Sequence, residues 1–229
     1  MPKRLLELSS DELLSLPIDQ LAMIALQHID STPEWSSRNF IVLATHQGLS
    51  KDAQRCWAEA LNWLITKNLI AQPSAESKGD PGTIFVTRLG KTALERGLSA
   101  IKASERLGFD LHPRLERVRS QFLLGEYELG AFAAMREVEI RVRELSGAGP
   151  SIVGVKLMRD AFREGGKLSN SDLDPGERVG LMELFAGAIG TFKNPPSHRQ
   201  VDYANPIEAS EVILLADLLM RLLDRTRTQ

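Results

Sequence analysis

Apolar residues recur at helical spacing along most of this chain. Ile18, Leu21, Ala22, Ala25, Leu26 and Ile29 form the i, i+3, i+4 stripe of an amphipathic helix. Ahead of it, Ser9-Ser10-Asp11-Glu12 reads as a helix start, with hydroxyl caps and acidic first-turn residues. Thr32-Pro33 breaks the pattern. Trp35 to His46 predicts a second helix, ended near Gly48. Behind the cap Ser50-Lys51-Asp52, Asp52 to Lys67 predicts a third, burying Ala53, Trp57, Ala60, Leu61 and Leu64. The period then changes. Asn68 to Ala71 and the β-branched run Thr83 to Thr87 predict two strands of a hairpin around the polar turn Ser74 to Gly82. Gly90 to Leu94 opens another helix.

Glu105 to Asp110 reads as a connection, with Gly108 as a helix stop. Helical periodicity resumes from Leu111 to Leu124, with Leu111, Leu115, Val118 and Phe122 on one face. Gly125 breaks it, and Glu126 to Leu145 predicts a long helix with its stripe on Ala131, Ala134, Met135, Val138, Val142 and Leu145. Val153 to Arg163 predicts a short helix, Glu177 to Asn194 a long one and Ile207 to Leu223 a strongly apolar last one. The fold class is therefore mainly α. Three helices plus a β-hairpin occupy residues 1–104, and a helical bundle occupies 105–229.

Composition excludes several classes. The net charge of −2 and a pI near 6.1 do not describe a strongly basic nucleic-acid binder. One cysteine, Cys56, supports neither a disulfide framework nor a cysteine-based zinc site; it reads as partly buried and inert. His28, His46 and His112 show no partners by spacing and read as structural. No metal or other cofactor is expected. The first residues lack a signal-type apolar run and no segment is long enough to span a bilayer, so a cytoplasmic protein without a membrane partner is expected.

The stretch that carries chemistry is Gly187 to Arg199. A helix with small residues Ala186, Gly187 and Gly190 runs into Lys193-Asn194, and Pro195-Pro196 must end it. The turn gathers Lys193, Asn194, His198 and Arg199. A cation, an amide and an imidazole together suit a phosphate or phosphodiester. Against this, Lys193 reads equally as a solvated cation at a helix C-terminus. His198 alone would read as a turn hydrogen-bonder and Arg199 as a surface charge, while Glu139–Arg143 reads either as an ordinary i, i+4 ion pair or as part of the site.

Lys193-Asn194-x-x-x-His198 resembles the Arg-Asn-x-x-x-His form of the HEPN (higher eukaryotes and prokaryotes nucleotide-binding) motif, with Lys193 where arginine is usual. The wider block Gly187-Ala188-Ile189-Gly190-x-Phe192-Lys193-Asn194-Pro195-x-x-His198 resembles a prokaryotic family of that type called Ymh. Tyr127-x-x-x-Ala131, Val138-Glu139-x-x-Val142-Arg143 and Gly154-x-x-Leu157-Met158-x-x-Ala161-Phe162 resemble its other blocks. The resemblance implies a HEPN-like α-helical bundle over the C-terminal half. It implies a metal-independent ribonuclease or effector of a defence or toxin system, acting on RNA as a homodimer. His198 and Lys193 from each chain would then share one cleft, with Asn194 orienting phosphate and Glu139 and Arg143 in support. The small-residue face at Gly187 and Gly190 would allow close helix approach at that interface.

Leu61-Asn62-Trp63-Leu64-Ile65-x-x-Asn68-Leu69-Ile70, followed by Val86-Thr87-x-Leu89-Gly90, resembles a winged helix-turn-helix. Its third helix offers Lys51 and Arg55, and Lys78 lies in the hairpin turn, as a weak nucleic-acid-binding set. Residues 1–104 hold eleven Lys/Arg and eleven Asp/Glu, and a neutral domain supplies few phosphate contacts. A protein-recruiting winged helix therefore competes with a DNA-binding one. For the whole chain, a non-catalytic dimeric adaptor or nucleic-acid-binding regulator competes with the ribonuclease.

Overall fold

Hydroxyl caps set where the helices of the N-terminal unit begin. The computed structural model describes residues 4–32, 35–73, 82–108, 110–194 and 205–226. Ser9 accepts from the Glu12 N–H and opens α1 (Ser10–Ser15), with Glu12 returning the bond in a capping box. Pro17 then starts α2 (Ile18–Asp30). Ser36 caps α3 (Ser37–His46) through the Asn39 N–H, and Ser50 caps α4 (Lys51–Thr66) through the Ala53 N–H. The apolar stripes of α2 and α4 pack together, with Phe40 of α3 against Trp57 at 5.1 Å between ring centroids. The α4 stripe is buried as expected from its spacing.

The expected hairpin is part of a three-stranded antiparallel sheet. β1 (Trp35–Ser36) pairs with β3 (Thr83–Val86), which pairs with β2 (Ile70–Ala71), in the order β1-β3-β2. Trp35 and Ser36 were expected to be helical. They are extended because Ser36 is the N-cap of α3, and a cap residue takes non-helical backbone angles. Helix α5 (Arg88–Arg106) takes in only the first two residues of the expected connection, Glu105 and Arg106, and is interrupted at Gly97.

The chain divides into two compact units, 1–101 and 102–229. In the second, a 3-10 turn (Pro113–Leu115) precedes α6 (Glu116–Leu123), so the helix expected from Leu111 begins later. Then come α7 (Tyr127–Ser146), α8 (Gly154–Phe162), α9 (Pro175–Ala188) and α10 (Pro206–Arg225). Helices α7 and α10 form the largest contact, built on Ala134, Met135 and Val138 of α7 and on Ile213, Ala216 and Leu219 of α10. Phe162 of α8 stacks on Phe185 of α9 at 4.5 Å. Among the described residues no helix is long and apolar enough to cross a membrane.

Candidate functional site

Helix α9 does not continue as a regular helix into the motif. Ile189–Lys193 forms a wide π turn, closed by the Asn194 N–H donating to the Ile189 carbonyl at 3.1 Å. A π turn admits an extra residue and rotates the side chains that follow, and such turns are frequent at functional sites. Here it accompanies an inward Lys193, whose side chain is only 17% exposed. Lys193 Nζ lies 3.3 Å from Glu139 Oε2. The expectation of a solvated C-terminal cation is thus corrected: a buried carboxylate draws the lysine in.

Glu139 sits on the core side of α7 and is itself 5% exposed. Its Oε1 accepts from Arg143 Nη2 at 2.8 Å, and its Oε2 accepts from the Gly154 N–H at 3.1 Å. Arg143 Nη2 also donates to the Ile152 carbonyl at 3.3 Å. The reading of Glu139–Arg143 as an ordinary ion pair does not hold, because the carboxylate is buried and is met by three groups, Arg143, Lys193 and the Gly154 N–H. Such satisfaction is what a buried charge requires. Glu139 also faces the N-terminus of α8, and Lys193 sits at the end of α9, so both charges match the helix dipoles.

Burial pushes the Glu139 carboxyl up. The hydrogen bond from Arg143, the charge and hydrogen bond of Lys193, and the Gly154 N–H outweigh burial and hold it below the usual carboxylate range. The group is ionised at neutral pH, so Glu139, Arg143 and Lys193 together carry one net positive charge. A net cation beside an amide can hold an anion; it does not by itself cleave one.

Gly154 has φ +62°, and a Cβ there would lie 3.4 Å from Asn194 Oδ1. Asn194 therefore lies over the start of α8, beside the Glu139 cluster. Gly154→Ala is expected to cost roughly 1–2 kcal/mol from the left-handed backbone, with the added methyl resting against Asn194 at contact distance. A fall in melting temperature of several degrees would check this.

The structure thus brings Lys193, Asn194, Glu139 and Arg143 together. His198, Arg199 and the double proline lie outside the described residues, as does Lys78. Lys51 and Arg55 are exposed on α4, and Arg55 Nη1 is paired with Asp52 at 2.9 Å. The small-residue face is corrected in part. Ala186 is buried, Gly190 packs against Val155 of the same chain, and Gly187 faces open space. Cys56 is partly buried, and its thiol is pushed up by burial and by Glu59 and Asp52. Among the described residues no group of three or more His, Cys, Asp or Glu could hold a metal ion.

The expectation of a partnerless His112 is also corrected. Its Nε2 lies 3.0 Å from Asp224 Oδ2, its N–H donates to Asp217 at 2.6 Å, and its Nδ1 accepts from the Arg114 N–H. Arg114 grips Glu144 with both terminal nitrogens, at 2.6 and 2.8 Å, and Arg141 joins Glu144 to Asp224. Within α7, Arg141 and Glu144 were legible as an i, i+3 pair. Arg114 and Asp224 lie too far away in sequence for spacing to find them.

The C-terminal unit is thus a helical bundle with a buried carboxylate shared by two cations at the end of α9. Residues 110–223, which hold all of that cluster, match the model of a family described as a protein of unknown function (Hypoth_ymh). The resemblance to the Ymh family is therefore shown for the C-terminal half of the chain. No curated protein and no solved structure matches.

Proposed function

We propose that this protein is a HEPN-like, metal-independent ribonuclease or effector that works as a homodimer. Its setting would be the cytoplasm, in a bacterial defence or toxin system. The observation that carries the reading is the convergence of Lys193 and Asn194 with Glu139 and Arg143, which come from two helices far apart in sequence. In this reading a His198 imidazole takes the proton of an RNA 2′-hydroxyl as its oxygen attacks the adjacent phosphorus. The His198 of the second chain protonates the departing 5′-oxygen. Histidine suits both transfers near neutral pH, and one per chain makes two chains necessary. Lys193 stabilises the phosphorane as a point charge, without the bidentate fork of an arginine. Glu139 positions Lys193 and Arg143. The N-terminal unit, read as a winged helix-turn-helix on the support of its helices and three-stranded antiparallel sheet, serves to recruit or sense a partner.

A second reading is favoured by one observation: the Lys193 ammonium already holds a carboxylate. A cation so engaged fits a non-catalytic dimeric adaptor or nucleic-acid-binding regulator. The test compares wild type with His198→Ala on mixed RNA in EDTA, with mass measured in solution. The ribonuclease reading expects cleavage by a wild-type dimer and a loss of about 10²–10⁴-fold in a variant that stays dimeric. Equal cleavage by both proteins, or none by either, would move the assignment to the adaptor.

A further inference from the structure

Helix α10 is apolar on more than the face it buries. Ala209, Ile213, Ala216, Met220 and Leu223 point into the core of the C-terminal unit. On the opposite side Leu218 is 48% exposed, between Leu214 and Leu222, which are half-buried and pack in part on the same core. A helix that leaves an exposed leucine between two half-open ones, away from its core stripe, has apolar area still to be covered. The charges along that face have a symmetry. Glu211 and Arg225 stand seven residues before and after Leu218, and Leu214 and Leu222 stand four before and after it. At about 100° per residue, all five positions fall within roughly 40° of one line along the helix. Glu211 and Arg225 are both exposed. The charges beside the line are already occupied, since Asp217 holds Arg221 at 2.8 Å and Asp224 is held by His112 and Arg141.

We infer that a second copy of this chain covers this face, with the two α10 helices antiparallel about a two-fold axis at Leu218. That arrangement sets Leu218 on Leu218 and Leu214 on Leu222. It also sets Glu211 of each chain on Arg225 of the other. A two-fold interface must be self-complementary, and a line of residues reading acid, leucine, leucine, leucine, base is complementary to itself reversed. A parallel pairing would set like charges together. Glu211 also touches Arg106 at 3.2 Å, but both side chains are about half exposed, so the carboxylate can serve both. One helix pair is a small interface, so the dimer is expected to dissociate in the micromolar range.

The inference rests on the homodimer of the reading above and names the surface through which it forms. The test measures the mass of the full chain in solution across the micromolar range, with helical content checked for each variant. Wild type is expected to dimerise and Leu218→Asp to be a folded monomer. Glu211→Arg and Arg225→Glu alone are each expected to weaken self-association at least about tenfold, since like charges then meet twice. Mixed together, these two variants are expected to form a heterodimer, because every cross-chain pair is again opposite in charge. A dimer that survives Leu218→Asp and both reversals would overturn this surface while leaving the homodimer intact. A monomeric wild type would overturn both. RNA cleavage is not a readout here, so the outcome with His198→Ala bears on the reading above alone.

Discussion

Glu139→Ala is expected to unfold the C-terminal unit at a temperature lower by some 10 °C or more. The variant leaves Arg143 and the partly buried Lys193 without their shared carboxylate, and leaves the Gly154 N–H without its acceptor. Removing one member of a buried ion pair costs about 3–5 kcal/mol, because the remaining charge stays desolvated. Glu139→Gln keeps an acceptor for Gly154 and Arg143 but removes the charge, so it is expected to cost less. The two variants also differ from wild type in a pH-dependent way. The folded-state carboxyl of Glu139 lies below its ordinary value, so its contribution is complete above the unfolded carboxylate range of about 4.3. It disappears as pH falls through the depressed folded value. The stability gap between wild type and Glu139→Gln is therefore expected to be widest at neutral pH and to close in acid. Urea unfolding across pH 3–7 checks this, and a gap independent of pH would mean that folding leaves the Glu139 carboxyl at its ordinary value.

Gly90→Ala is expected to disrupt the N-terminal unit by roughly 3 kcal/mol or more. A Cβ at Gly90 would lie 2.1 Å from the Leu69 carbonyl oxygen and 2.7 Å from Val86 Cγ1. The carbonyl cannot step aside easily. It accepts from the Thr87 N–H at 3.0 Å, and the Thr87 hydroxyl, which donates to the neighbouring Asn68 carbonyl at 2.7 Å, caps α5 by accepting from the Gly90 N–H at 3.0 Å. Moving Leu69 would break the join between β2, β3 and α5 at once. Hydrogen exchange should show lost protection in β2, in β3 and at the start of α5. Since the two units have separate apolar cores, protection in α7 and α10 is expected to persist. Loss throughout the chain would mean that the units unfold together.

Periodicity read the helical skeleton well because each stripe reports which side of one helix is dry. The α4 positions Ala53, Trp57, Ala60, Leu61 and Leu64, and the α7 positions Ala131, Ala134, Met135, Val138 and Val142, are buried as their spacing requires. Strand β1 was missed because two residues cannot show alternation, and its pairing partner Thr83–Ile84 lies nearly fifty residues on. The π turn at Ile189–Lys193 was missed because nothing in Ile-Gly-Thr-Phe-Lys distinguishes a hydrogen bond across five residues from one across four.

For the site, sequence alone determined the residue types: a lysine and an amide delivered by a helix, and an acid and an arginine one turn apart on another. Local spacing could not decide whether Glu139 and Arg143 met water or the core. That was decided by α8, whose Gly154 N–H and preceding Ile152 carbonyl close over the pair. Likewise Lys193 has the same sequence neighbours whether it is solvated or buried. The packing of the π turn against α7 decides it, because it carries the Lys193 ammonium to within 3.3 Å of a carboxylate that the core already holds. Amphipathic order is a property of one segment and is written in that segment. Charge pairing across segments exists only once the core has brought them together.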